Sequence, residues 1–526
     1  MREKIQLGLV ISLATFLRWC VTFHDYSGKN KSPMYGDYEA QRHWQEITYN
    51  LPVDQWYSNS TDNDLQYWGL DYPPLTAFHS LILGKIANTI NPDYVKLHNS
   101  RGYESPDHKQ FMRLSVLIAD MIIYVPAIVF LFPYPIFEPK SNHFINILGL
   151  KKSHLMMLTT LLYPGLILID HGHFQYNSIS LGFFILSLGL IIKKSLVFGS
   201  FFFVLALNYK QMELYHALPI FFFILNKCTP FRNKSILFCL KTFVSVTLTV
   251  LTTFCIIWLP FFKDMKFIDV FTRLFPLSRG VFEDKVANAW CTINIFIKLR
   301  ELFSHVELAK ICFFTTILSV LPSSIDLYLN ASVEKLILSL INTSLGFYLF
   351  SFQVHEKTIL LVAIPVLTYF YYDPFPCFWF LIVSSFSLVP LLIKDGLFGA
   401  FISLMSFYYI LNFWIWFDQL NLVPEKRNEP RNRNQSKFKK LTMWHSIKLK
   451  TNVFFMQLSK NYRTITIKKI AFYLSILGII LLSLVTKFVR PPRRYPDLYT
   501  LLISVYSFTH FFLFFVYFNL KQILLS

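Results

Sequence analysis

Apolar residues gather in this chain into runs of about 17 to 25, separated by short polar stretches, and a run of that length crosses a hydrocarbon core as a helix satisfying its own backbone hydrogen bonds. The first covers 5–23. The others cover 111–133, 155–169, 178–192, 195–207, 217–226, 236–260, 305–321, 334–350, 358–371, 376–392, 397–416, 470–487 and 499–519, several of them short for a full crossing. No alternation of apolar and polar residues runs through them, which excludes a transmembrane barrel. The pattern predicts an all-α polytopic membrane protein with about 14 transmembrane helices. One polar stretch is long, 24–110, and it holds two amphipathic helix candidates. These are 37–49, with acids in its first turn, and 75–89, which begins after Pro73-Pro74. Both have the pattern of helices that lie on a membrane surface.

Composition agrees: 54% of the 526 residues are hydrophobic and only 15% are charged. The net charge of +19 would suit a nucleic-acid partner, but the cations sit in short loops between apolar runs, as the positive-inside rule requires, so no nucleic acid is expected. Arg2 and Lys4, then Lys140, Lys151 and Lys152, then Lys193 and Lys194, then Lys227, Arg232 and Lys234 all fall on one side, read as cytosolic. An even number of crossings returns both termini there, and 24–110 becomes a loop on the lumenal face. The run 5–23 is too long for a signal-peptide core and lacks a small-residue cleavage site, so it is expected to be retained. Arg18 within it should face the bundle or snorkel, and Asp120 should pair with a neighbouring helix. The seven cysteines have no metal-type or CxxC spacing and read as small core residues. A basic stretch, 417–469, divides a unit over 1–416 from a final helix pair over 470–526; it reads as a cytosolic loop facing solvent or headgroups, and the pair as peripheral.

Against this background, ionisable groups concentrate on the lumenal side. They occur in Gly36-Asp37-Tyr38-Glu39-Ala40-Gln41-Arg42-His43-Trp44, in Trp68-Gly69-Leu70-Asp71-Tyr72-Pro73-Pro74, in Asp170-His171-Gly172-His173-Phe174-Gln175-Tyr176-Asn177, in 208–216 around Lys210, in 273–290 with Arg279, Glu283, Asp284 and Lys285, and in Phe352-Gln353-Val354-His355-Glu356-Lys357. Ionisable residues at a membrane border are functional candidates because ligand or partner must offset their burial. A transferase acting on a sugar hydroxyl needs one carboxylate as general base, and Asp37, Glu39 and Asp71 all qualify. Cations can take up the charge of a departing phosphate without a metal; Arg42, Lys210, Arg279, Lys285, His355 and Lys357 are among those available. The spacings of Glu39 with His43 and of Arg42 with Glu46 equally suit helix-stabilising pairs. His171 and His173 lack a third convergent metal ligand. The tryptophans of the first loop suit interfacial anchoring as well as sugar stacking. Charges on one face and no internal repeat argue against a transporter.

The motifs just quoted, with Ser100-Arg101-Gly102-Tyr103-Glu104-Ser105 and Phe282-Glu283-Asp284-Lys285-Val286-Ala287-Asn288, together resemble the dolichyl-phosphate-glucose-dependent alpha-1,3-glucosyltransferases of the endoplasmic reticulum, over the first helix to about residue 395 and weakly through the last two helices. The resemblance implies a GT-C fold in the endoplasmic reticulum membrane with a lumenal site. It also implies inverting transfer of glucose from dolichyl phosphate glucose to dolichyl-pyrophosphate-linked Man9GlcNAc2, without a metal or other cofactor, and Asp37 as the base. Glu39, Arg42, His43, Asp71, Tyr72, Gln175, Lys210, Arg279, Lys285, His355, Glu356 and Lys357 become the expected substrate-binding set. The first-loop motifs and Lys210-Gln211-Met212-Glu213-Leu214-Tyr215 are similar to members that add the first glucose rather than to the sister enzymes that add the second.

Overall fold

The structure is a computed structural model that describes residues 2–133, 150–230, 235–275, 285–416, 420 and 443–525, with 443–465 described as backbone only. Its longer helices are α1 (Arg2–Thr22), α2 (Asp37–Asn50), α3 (Pro74–Ile90), α4 (Pro106–Leu131), α5 (Lys152–Leu161), α6 (Pro164–Phe174), α7 (Asn177–Ile192), α8 (Leu196–Tyr209), α9 (Leu214–Cys228), α10 (Ile236–Phe261), α11 (Phe267–Leu274), α12 (His305–Leu329), α13 (Val333–Phe350), α14 (Ile359–Tyr369), α15 (Pro374–Lys394), α16 (Phe398–Ile415), α17 (Met443–Phe488) and α18 (Leu498–Leu524). Among the described residues no strand occurs. Among the described residues, nine helices are long and apolar enough to cross a membrane, ten if α5 and α6, bent by 42° at Pro164, count as one. The helices α7 and α8 are apolar but shorter.

Three buried polar junctions hold these helices in register. Arg18 faces the bundle, not the lipid: its guanidinium pairs with Asp120 of α4 and donates to the Ala14 and Leu161 carbonyls at 3.1 and 2.8 Å. His171 Nε2 lies 3.0 Å from the same Asp120 carboxylate, tying α1, α4 and α6 together. At the opposite end of the bundle from Asp37, Lys335 pairs with Asp326 at 2.9 Å, and buried Gln522 bonds Ser323 and Asn342. Lipid tails are as apolar as leucine, so such contacts and close packing, not hydrophobic burial, select helix neighbours.

Two expectations about the C-terminal part of the chain are corrected. The last helix is not peripheral: Phe511, Phe514 and Phe518 are buried, and they meet Tyr348, Phe380 and Tyr369 of α13, α15 and α14. Its aromatic positions recur at helical spacing, so one face is built for the bundle. Residues 443–465, read as loop, continue the spanning helix instead, in a segment free of proline and glycine. Leu420 and residues 466–469 apart, the side chains of the basic stretch, with Lys140, Arg232 and Lys234, lie outside the described residues.

The first polar excursion forms a cap over one end of the bundle. Its helix α2 is buried along Tyr38–Thr48, whereas an amphipathic surface helix was expected. The reason is internal pairing: Arg42 is held between the Glu39 and Glu46 carboxylates and His43 meets Glu46, so these side chains find their partners within the helix. Trp44, Trp56 and Tyr57 form the cap's core with Phe261 of α10 and Val270 of α11.

Candidate active site

The site is built on Asp37, the first residue of α2. Its backbone is planted by a close crossing: a Cβ on Gly36 would stand 2.5 Å from Ser27 Oγ, and that hydroxyl accepts the Asp37 N–H at 3.2 Å. Three groups converge on Asp37 Oδ2. Lys357 Nζ is 2.5 Å away, His173 Nε2 is 3.1 Å away, and the Gln175 amide donates to the same oxygen. Behind His173, its Nδ1 lies 2.5 Å from Asp395 Oδ2, so the imidazole is clamped between two carboxylates.

His173 and Gln175 reach one oxygen because of the backbone between them. Leu168–Phe174 is a π-helical turn ending at Phe174, whose φ of +92° is left-handed. For a bulky residue that conformation costs on the order of 1–3 kcal/mol and persists only where surroundings impose it. Here the Tyr38 and Tyr176 rings hold the Phe174 ring edge-on, Arg113 donates to the Gly172 carbonyl at 2.8 Å, and Ser27 N–H donates to the His173 carbonyl at 3.0 Å.

A second cation stands one residue away. Lys210, just past the end of α8, donates to Gln175 Oε1 at 2.9 Å and to Asn177 Oδ1 at 2.7 Å, and lies 4.6 Å from the Tyr72 ring centroid. Gln175 thus links Asp37 to Lys210. The Asp71 carbonyl accepts the Gln211 amide at 3.0 Å, and its carboxylate favours the Lys210 ammonium.

The electrostatics follow from this packing. Burial pushes the Asp37 carboxyl up, but the Lys357 and His173 charges outweigh it and hold the group well below the usual range. Its side chain is 20% exposed, so the ionised oxygens remain reachable. Burial pulls the Lys210 ammonium below the ordinary lysine value, with the Asp170 charge opposing.

The other predicted residues are distributed as follows. Half-buried His355 and Glu356 directly precede Lys357 at the one-turn helix Glu356–Thr358, beside the site. Glu39, Arg42 and His43 lie on the same helix as Asp37, but within its buried network. Arg42 is wholly buried, bonded to Glu39 at 2.7 and 2.8 Å, to Glu46 at 2.7 Å and to Ser100 at 2.6 Å. His43 Nδ1 is 3.2 Å from the same Glu46, and Tyr67 caps Glu39 at 2.8 Å. Lys285 is not brought to Asp37; it pairs with Asp497 before α18. Arg279, Glu283 and Asp284 lie outside the described residues. Asp395 went unnoticed in the sequence. Its signal is faint: an acid closing an apolar run on the side that also carries Asp37.

The sequence profile of the ALG6, ALG8 glycosyltransferase family matches residues 14–517. The chain belongs to this family. It is 44% identical over 519 residues to the dolichyl pyrophosphate Man9GlcNAc2 alpha-1,3-glucosyltransferase of Gallus gallus, covering 98% of this chain and 96% of the relative. It is 45% identical over 528 residues to the protein of the same name from Pongo abelii, covering 99% and 97%. Every group around Asp37 lies within the part matched to the ALG6, ALG8 glycosyltransferase family.

Proposed function

We propose that this chain transfers the first glucose of the N-glycan precursor from dolichyl phosphate glucose to the terminal mannose of dolichyl-pyrophosphate-linked Man9GlcNAc2, forming an alpha-1,3 bond with inversion and without a metal. The observation that carries the site assignment is one ionised, solvent-reachable carboxylate, Asp37, flanked by two lysines on separate helical segments. Relatives that share the chain almost end to end bear the corresponding name. The reaction is placed on the lumenal face of the endoplasmic reticulum membrane, because a sugar phosphate cannot enter hydrocarbon. The architecture proposed is a GT-C fold. Counting the nine long helices, the bent pair and the shorter α7, α8, α9 and α14 supports fourteen crossings with both ends cytosolic.

In the mechanism, Asp37 takes the proton from the mannose 3-hydroxyl as its oxygen bonds to the glucose anomeric carbon. The bond from that carbon to the phosphate oxygen breaks, and the electron pair leaves with dolichyl phosphate. A carboxylate gripped by an ammonium at 2.5 Å is a poor base. Donor binding relieves this: the incoming phosphate draws Lys357 away, and Asp37 regains basicity only when the donor is in place. Lys210 supplies further positive charge where the leaving oxygen becomes anionic, and His355 offers a ring nitrogen beside it. His173, held by Asp395, and Gln175 keep Asp37 oriented throughout. Arg42 and His43 are given no contact with substrate, and Glu39 closes the network that carries the helix.

The test is glucose transfer by purified, reconstituted protein from dolichyl phosphate glucose to Man9GlcNAc2 and to Glc1Man9GlcNAc2 glycolipids. Transfer to the first acceptor alone is expected. Transfer to the second alone would make this the enzyme of the following step, and transfer to neither would end the proposal.

A further inference from the structure

One strongly charged surface lies outside this site. Lys487 in the last turn of α17 and Arg490, Arg493 and Arg494 in the turn that joins it to α18 are all exposed. This surface sits on the Asp37 face: Lys487 Nζ is 6.0 Å from the centroid of the Phe398 ring, which also packs on Phe488 at 6.2 Å, and Phe398 begins the helix directly after Asp395 and Gly396. Ser504 of α18 donates to the Lys285 carbonyl, and Lys285 takes the turn's acid, Asp497. Among the described residues, no carboxylate pairs with the three arginines.

The turn is also rigid. Pro491, Pro492 and Pro496 fix its backbone, and the Tyr495 N–H closes onto the Pro492 carbonyl at 2.9 Å, so Arg493 and Arg494 occupy the two central positions. Cations here run against the positive-inside rule, which favours the other face. Three guanidinium groups without a carboxylate partner, that of Arg494 lying 5.5 Å from the centroid of the Tyr495 ring, on a stiff support at a membrane border fit phosphate oxygens, which arginine binds bidentately.

We infer that this turn seats the diphosphate of the acceptor lipid. The inference rests on the proposed function. The acceptor's diphosphate is separated from its terminal mannose by a chain of sugars, so while the mannose is at Asp37 the diphosphate needs its own seat at the border on the same face. Arg490, Arg493 and Arg494 supply that seat, and Lys487 flanks it.

The test uses the full chain in zwitterionic vesicles, wild type and R490Q/R493Q/R494Q. The acceptors carry the same Man9GlcNAc2 on a diphosphate lipid or on an uncharged lipid alcohol. For wild type, KM should be lower for the diphosphate acceptor by roughly tenfold, the equivalent of ~1.4 kcal/mol. That preference should vanish in the triple variant and at high salt, while donor KM and transfer to the uncharged acceptor stay at wild-type values. R490K/R493K/R494K should keep part of it. An unchanged preference in the triple variant overturns the inference, as does equal loss on both acceptors. So does a wild type without preference, a comparison that needs no variant. Should phosphatidylinositol in the vesicles stimulate transfer to both acceptors through the arginines, the turn binds membrane headgroups and the inference fails. Failure of the proposed function looks different: wild type would glucosylate neither acceptor.

Discussion

Glu46 offers the sharpest separation of scaffold from chemistry. Its wholly buried carboxylate accepts from Arg42 at 2.7 Å, from Ser100 at 3.2 Å and from the His98 N–H at 2.8 Å, and His43 Nδ1 stands 3.2 Å away. Burial raises its pKa, but the His43 hydrogen bond and the Arg42 charge outweigh that and hold it at about 2 against 4.5. At 1.36 kcal/mol per unit this corresponds to roughly 3 kcal/mol favouring the folded state. Because the folded value is depressed, this stability is fully present above the unfolded value and is lost progressively as pH falls from 4.5 through about 2, so all of it acts at neutral pH. Breaking a buried pair costs about 3–5 kcal/mol by an independent route. Glu46→Gln also sets an amide N–H against a facing donor. Spread over 526 residues at ~2 cal/mol/K each, ~3 kcal/mol lowers Tm by about 3 °C if the chain unfolds as one unit, and by more if the cap unfolds alone. Thermal unfolding in mild detergent, followed by tryptophan fluorescence, reads the shift. Transfer assayed at low temperature should keep wild-type KM for both substrates. A variant that keeps its Tm but loses transfer would refute the reasoning, because the network would then be touching substrate.

Three further outcomes are expected. Lys210 loses its charge below the ordinary lysine range, so wild-type transfer should fall on the alkaline side through a rise in donor KM; Lys210→Arg, which does not titrate there, should extend activity to higher pH, and an identical profile would exclude Lys210 from the phosphate. Asp395→Asn should lower kcat by up to ~10²-fold through a displaced His173 with both KM values kept, and Asp395→Glu should restore part of it; a change in KM alone would contradict a positioning role. Gly36→Ala drives a Cβ into Ser27 and Gly28, and should depress kcat far more than Tm; transfer at the wild-type rate would show that the crossing does not set Asp37.

What the chain revealed before its structure depended on range. Apolar runs announce spanning helices because lipid leaves the backbone no partner but itself; Arg18 and Asp120 each called for a partner because neither survives alone in lipid, but that they find each other shows only once α1 packs on α4. Asp37, Gln175, Lys210 and Lys357 lay in polar stretches assigned to one face, and packing brings those stretches together. Asp395 was invisible for a physical reason: an acid ending a helix is ordinary until a histidine from far along the chain stands 2.5 Å away. Glu39, Arg42 and His43 looked like ligands because the residue types that bind phosphate also neutralise one another, and only burial distinguishes the uses. The last helix misled because its separation by a basic stretch suggested independence, while its phenylalanine face records the opposite.

The measurement closest to the central claim is glucose transfer from dolichyl phosphate glucose to the Man9GlcNAc2 glycolipid by wild type and Asp37→Asn, each with and without chelator. The account predicts wild-type transfer that resists chelator, and a loss of at least ~10²-fold in a folded Asp37→Asn protein. Transfer at the wild-type rate in Asp37→Asn, or wild-type transfer abolished by chelator and restored by divalent cation, would contradict it.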